Sequence, residues 1–99
     1  MNLAQAQREL ALEVVSHNAG AWMHDAKRWM RLLPAGQWTG EAIRHWLEPR
    51  IGQPHHHNAW GAAINAALRA GVIVHTGRYE PMLDPRSHGR RTPVYRRVT

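Results

Sequence analysis

Ninety-nine residues without a cysteine make a single domain, 1–99, with room for a modest core but neither a disulfide framework nor a thiolate metal site. No apolar run approaches the roughly 20 residues of a membrane span, and the N-terminus lacks the basic-then-apolar order of a signal peptide, so no membrane and a reducing, cytoplasmic home are expected. Thirteen Lys/Arg against seven Asp/Glu leave +6, and the excess sits in one half: residues 1–49 balance five against five, whereas 50–99 carry eight arginines against Glu80 and Asp84.

Residues 3–16 read as a first helix of strong helix formers, with Leu3, Leu10, Val14, Ala6 and Ala11 on its apolar side. Asn18-Ala19-Gly20 stops it. The helix either caps the domain or serves as a homodimer contact. Residues 21–33 form an amphipathic helix with Trp22, Ala26, Trp29, Met30 and Leu33 inward and Lys27, Arg28 and Arg31 outward. Pro34-Ala35-Gly36 ends it, and Trp38 falls in a short extended link that suits a one- or two-residue strand. Thr39 is a candidate N-cap for a helix from Gly40 to Glu48, with Glu41 favoured in the first turn and Ile43, Trp46 and Leu47 inward. Pro49 is expected to end that helix, because the residue before a proline avoids the helical region.

The next helix has the most pronounced sidedness. Asn58 is expected as its N-cap and Gly71 as its stop. Trp60, Ile64 and Leu68 recur every four residues beside Ala63 and Ala67, which draws one buried stripe. The opposite face carries Asn58, Gly61, Ala62, Asn65 and Arg69, hydrogen-bonding groups among residues with almost no side chain. A solvated surface helix accounts for these residues too, but such smoothness suits close approach by a partner. Residues 72–80 are β-branched and aromatic and read as a strand. Residues 81–93, with three prolines and a glycine, are expected to hold no regular element. Val94 to Val98 reads as a second short strand, so that the two strands pair as a hairpin around a long, flexible basic loop.

Helix, helix, turn, helix, hairpin is the order of a winged helix-turn-helix. The expected fold is therefore mainly α with a small β-hairpin (α+β), with an additional N-terminal helix. It divides into 1–18 for that helix, 21–71 for a three-helix core and 72–99 for the hairpin wing. An all-arginine excess points to a polyanion, and double-stranded DNA is the partner this order of elements expects. Asn58, Asn65 and Arg69 are the candidate base readers, since an amide at i and a guanidinium at i+4 suit adenine and guanine edges. Arg78, Arg86, His88, Arg90, Arg91, Arg96 and Arg97 are the candidate DNA contacts of the hairpin, suited to phosphates or a narrow minor groove.

The chain also resembles a group of short phage and prophage winged-helix proteins. The words that carry the resemblance are Asn18-Ala19-Gly20-Ala21-Trp22-Met23, Thr39-Gly40-Glu41, Pro54-His55-His56-His57-Asn58-Ala59-Trp60-Gly61-Ala62, Arg69-Ala70-Gly71-Val72-Ile73, Thr76-Gly77 and Ser87-His88-Gly89-Arg90. They span roughly residues 18–97. The resemblance implies a small DNA-binding protein acting in transcription regulation or DNA replication, in a bacterium or a phage-infected host cell. The chain departs from the pattern at the triple histidine, where a second proline is expected.

Other readings are weaker on the same residues. His55, His56 and His57 are adjacent, so they cannot easily aim at one ion, and no metal and no cofactor are expected. Donors beside a phosphate suit them better. The five tryptophans fall at core spacings, while Tyr79 and Tyr95 could either stack on a base or pack under the wing. Glu80, Asp84 and His88 could be arranged as a hydrolytic site, but no catalytic motif frames them and no enzyme is expected. The alternative of another class is a winged-helix protein–protein adaptor without sequence-specific DNA binding.

Overall fold

The computed structural model of the chain describes residues 20–98. It is an α+β structure with three helices and a three-stranded antiparallel sheet. The helix expected over 3–16 lies outside the described residues.

Helix α1 covers 20–30. Trp22, Ala26 and Met30 recur every four residues and are buried, with Leu33 just beyond the helix completing the apolar side. Lys27, Arg28 and Arg31 are exposed, as their spacing requires. The last turn tightens, Leu32 N–H donating to Trp29 O and Leu33 N–H to Met30 O, which satisfies two carbonyls before Pro34 diverts the chain. Strand β1, Gly36–Thr39, is longer than the expected one or two residues. Its Trp38 indole N–H donates to Pro34 O at 2.9 Å.

Thr39 caps α2, Gly40–Ile51, with its hydroxyl accepting from Ala42 N–H at 3.0 Å. The expected end at Glu48 is wrong, because α2 carries Pro49 in its last turn and continues to Ile51. A proline there forfeits only the bond to His45 O, and too little helix follows for a kink to cost packing. The stop is Gly52 (φ 74), whose N–H donates to Glu48 O at 2.8 Å. Ile43 and Leu47 are wholly buried, about 1.5–3 kcal/mol of favourable transfer each. Trp46 is half-buried between Trp29 and Trp38, with ring centroids 6.0 and 6.3 Å away, and the Arg50 guanidinium lies 4.2 Å from its ring.

Helix α3 is Asn58–Arg69. Asn58 is its first residue rather than its N-cap. The preceding His57 is already in the right-handed helical region. The first amides are therefore met from behind: Asn58 N–H donates to His56 Nδ1, Ala59 N–H to His56 O and Trp60 N–H to His57 O. Gly71 closes the other end in the left-handed region, its N–H donating to Leu68 O while Val72 N–H reaches Ala67 O. This pair of bonds is the Schellman motif. Trp60, Ala63 and Ala67 are buried, and Ile64 and Leu68 are half-buried at the edge of the stripe.

Strands β2, Ile73–Pro81, and β3, Arg91–Arg97, form the hairpin, and the sheet order is β1-β3-β2. β3 takes in the last three residues, 91–93, of the stretch expected to be irregular. Pro93 is tolerated because it pairs only with Tyr79 of β2, β1 having ended opposite Val94. The register slips between His75 and Tyr79, so that Thr76, Gly77 and Arg78 bulge opposite Val94. The Thr76 hydroxyl pins the bulge by donating to Val94 O and accepting from Arg78 N–H. Residues 82–90 remain as the connecting loop, with a 3-10 turn at Pro85–Ser87.

Candidate nucleic-acid interface

Asn58, Gly61, Ala62, Asn65 and Arg69 are all exposed on α3. The Asn58 side chain is exposed and has no capping duty. Gly61 is the most informative of the five. A glycine inside a helix costs about 0.5–1 kcal/mol relative to alanine. A Cβ added at Gly61 would meet nothing within 4 Å, so packing among the described residues does not demand the glycine. Trp60, the neighbour on the other side of the helix, meets Trp22 edge-on at 5.0 Å in the core.

The hairpin loop is tied to α2 at its start. The Glu41 side chain, buried in the first turn of α2, accepts from Leu83 N–H at 2.8 Å and Asp84 N–H at 3.2 Å. Asp84 in turn caps the 3-10 turn, accepting from Arg86 N–H at 2.9 Å, and pairs with the Arg86 guanidinium at 2.9 and 3.2 Å. The Arg86 side chain beside it, then the Arg86 backbone N–H, hold the Asp84 carboxyl down from 3.8 to about 2. The same pairing pushes the Arg86 guanidinium up. His88 (φ 54, ψ 37) and Gly89 (φ 74) then turn the chain back through two left-handed residues, and Arg90 N–H closes the turn on Ser87 O. His88, Arg90 and Arg91 are exposed at the end of this loop.

The expected hairpin cations therefore fall into three groups. Arg90, Arg91 and Arg96 are exposed and take no part in an ion pair among the described residues, where the pairs are Arg44–Glu48 and Arg86–Asp84. Arg78 and Arg86 are exposed but engaged, Arg78 with the Gln37 side chain across the sheet and Arg86 with Asp84. Arg97 corrects the expectation of a DNA contact. Its guanidinium turns onto the protein, donating to Val72 O at 3.2 Å, to Val98 O, and to Arg31 O at 2.8 Å. It therefore ties the end of α1 to the sheet, where a cation suits the last carbonyls of a helix.

Tyr95 is buried against the core, and burial pushes its phenol up, with Tyr79 adding to the effect. Tyr79 is exposed, so of the two only Tyr79 is open to solvent. His56 and His57 stack at 4.7 Å in front of α3, and His56 serves the Asn58 amide. Among the described residues no three His, Asp or Glu side chains converge as a metal site, and no helix is long and apolar enough to cross a membrane. Sequence reasoning missed the Glu41 clamp, since its only local signal was an acid in a first turn. Compared with known protein families, with curated proteins and with solved structures, the chain finds no match in any of the three.

Proposed function

We propose that the chain is a winged-helix protein that binds double-stranded DNA, with α3 in the major groove and the 82–90 loop as the wing. The order α1, β1, α2, α3, β2, β3, with β1 joined to β3, supports the winged-helix reading. The observation that carries the DNA reading is the exposed face of α3. A glycine that packing among the described residues does not require sits beside Ala62, between Asn58 and the Asn65–Arg69 pair, so a groove wall can come close to the backbone while an amide and a guanidinium reach base edges. Arg90, Arg91 and Arg96 hold phosphates, with Arg86, His88 and Arg78 as secondary contacts that must leave or share partners. Arg97 is not in the set. The reading assigns no catalytic residue, metal or cofactor. It places the protein in transcription regulation or replication in the cytoplasm of a bacterium or a phage-infected host, a setting that rests on the resemblance to phage proteins.

Three phosphate contacts imply a log–log salt slope of about −2.7, a roughly 40-fold loss of affinity between about 50 and 200 mM salt. Fluorescence anisotropy on a mixed-sequence duplex measures this directly, and no binding even at the lower salt sinks the reading. Gly61→Ala separates fold from function. It should raise stability by about 0.5–1 kcal/mol and weaken duplex binding roughly tenfold. A stability gain with undiminished binding removes α3 from the groove.

A further inference from the structure

A second surface lies on the flank of α3 and adjoins the face assigned to DNA at Arg69, which borders both. Between α1 and α3 runs a groove of about 380 Å³. Its apolar lining includes Met30, Ala66, Ala70 and Val72, and its rim carries Lys27, Arg31 and Arg69. Those three cations are exposed and take no part in an ion pair among the described residues. The alanines keep the wall low enough for a further helix to lie close.

We propose that this groove is the seat of the chain's own residues 3–16, returning as an amphipathic helix antiparallel to α1. Three properties select this occupant over others, none of which depends on the DNA reading. The first is chemistry. The segment offers Leu3, Ala6, Leu10 and Val14 on one side, with Glu9 and Glu13 flanking that side, against a groove that is apolar below and cationic above. Arg8 falls on the far side of the same helix. The second is reach. A 14-residue helix is about 21 Å long, and residues 20–30 of α1 span about 17 Å, so a turn at 17–19 brings the segment back over the groove. The third is direction. Trp22 of α1 meets Trp60 of α3 at their starts, and Met30 meets the groove with Ala67 and Val72 near their ends. The two helices therefore run the same way, and a segment returning along α1 places Leu10 by Lys27 and Ala66, and Ala6 by Arg31 and Ala70.

The absence of cysteine makes the test direct. Two full-length variants, Leu10→Cys/Ala66→Cys and Ala6→Cys/Ala70→Cys, are oxidised at low protein concentration and resolved on a non-reducing gel with mass spectrometry. A disulfide within one chain in at least one pair, and none in an Arg8→Cys/Ala70→Cys control, is the expected result. No disulfide in either pair, or a disulfide formed only between chains, overturns the proposal, the latter because the occupant is then a second copy. Leu10→Asp in the otherwise unchanged chain gives an independent reading. Hydrogen exchange at residues 27–31 and 66–70 should quicken severalfold, and unchanged exchange there contradicts the docking.

Discussion

At one end of the hairpin Arg97 spends its guanidinium on the carbonyls of Val72, Val98 and Arg31; at the other, Arg90 and Arg91 stand exposed beyond the 3-10 turn. The two ends are identical in charge per residue and opposite in use. Between them Arg96, one position from Arg97 and on the opposite face of the strand, is exposed. A count of arginines therefore overstates the surface available to a polyanion. What decides the matter is which guanidinium has a carbonyl or carboxylate within reach inside the protein. The fold keeps Arg97 for itself, engages Arg86 and Arg78 with neighbours, and leaves Arg90, Arg91 and Arg96 exposed.

The largest expected effect tests the inward end. Arg97→Ala leaves the end of α1 without its tie to the sheet and should cost about 2–3 kcal/mol, lowering Tm by roughly 10–20 °C. Arg97→Lys should recover only part of this, since an ammonium cannot span three carbonyls as a planar fork does. Arg96→Ala, its neighbour, should stay within about 0.5 kcal/mol of the parent in the same melt. Equal losses at 96 and 97 would erase the contrast.

Next comes the clamp between α2 and the loop. Glu41→Ala strips the acceptors from Leu83 and Asp84 N–H and should cost about 1–2 kcal/mol, with faster hydrogen exchange confined to residues 82–86. Unchanged exchange there would mean that the loop needs no anchor. The smallest effect is at Asp84, whose exposed ion pair is worth little to global stability. Its carboxyl titrates near 2 in the folded protein against 3.8 ordinarily, so the stabilisation it gives the turn is complete above about pH 4 and is lost as pH falls through about 2. A carboxyl-carbon NMR titration should show that midpoint, and Arg86→Ala should return it toward 3.8.

Much of the fold was legible where the signal is local. The Thr39 cap, the Gly71 stop, the inward residues of α1 and the first hairpin strand are set by side chains within a few positions of where they act. The misreadings came from longer range or from context. Pro49 reads as a stop until the helix is seen to end only two residues later, at Ile51. Pro93 reads as a strand breaker unless β1 is known to end opposite Val94. Asn58 reads as a cap unless the histidines before it are already helical. Arg97 reads as a phosphate contact because its partner Arg31 lies 66 positions away in sequence. The exposed face of α3 followed from helical period alone, yet the lack of a packing reason for Gly61 among the described residues became visible only in three dimensions.

The central claim is that the outward arginines of the loop meet phosphate, and the salt slope of duplex binding tests it most directly. Anisotropy titrations of the parent and of Arg90→Ala/Arg91→Ala across about 50–200 mM salt should give slopes that differ by about 1.8 in magnitude, with the preference among sequences unchanged. Equal slopes for the two proteins would contradict the account.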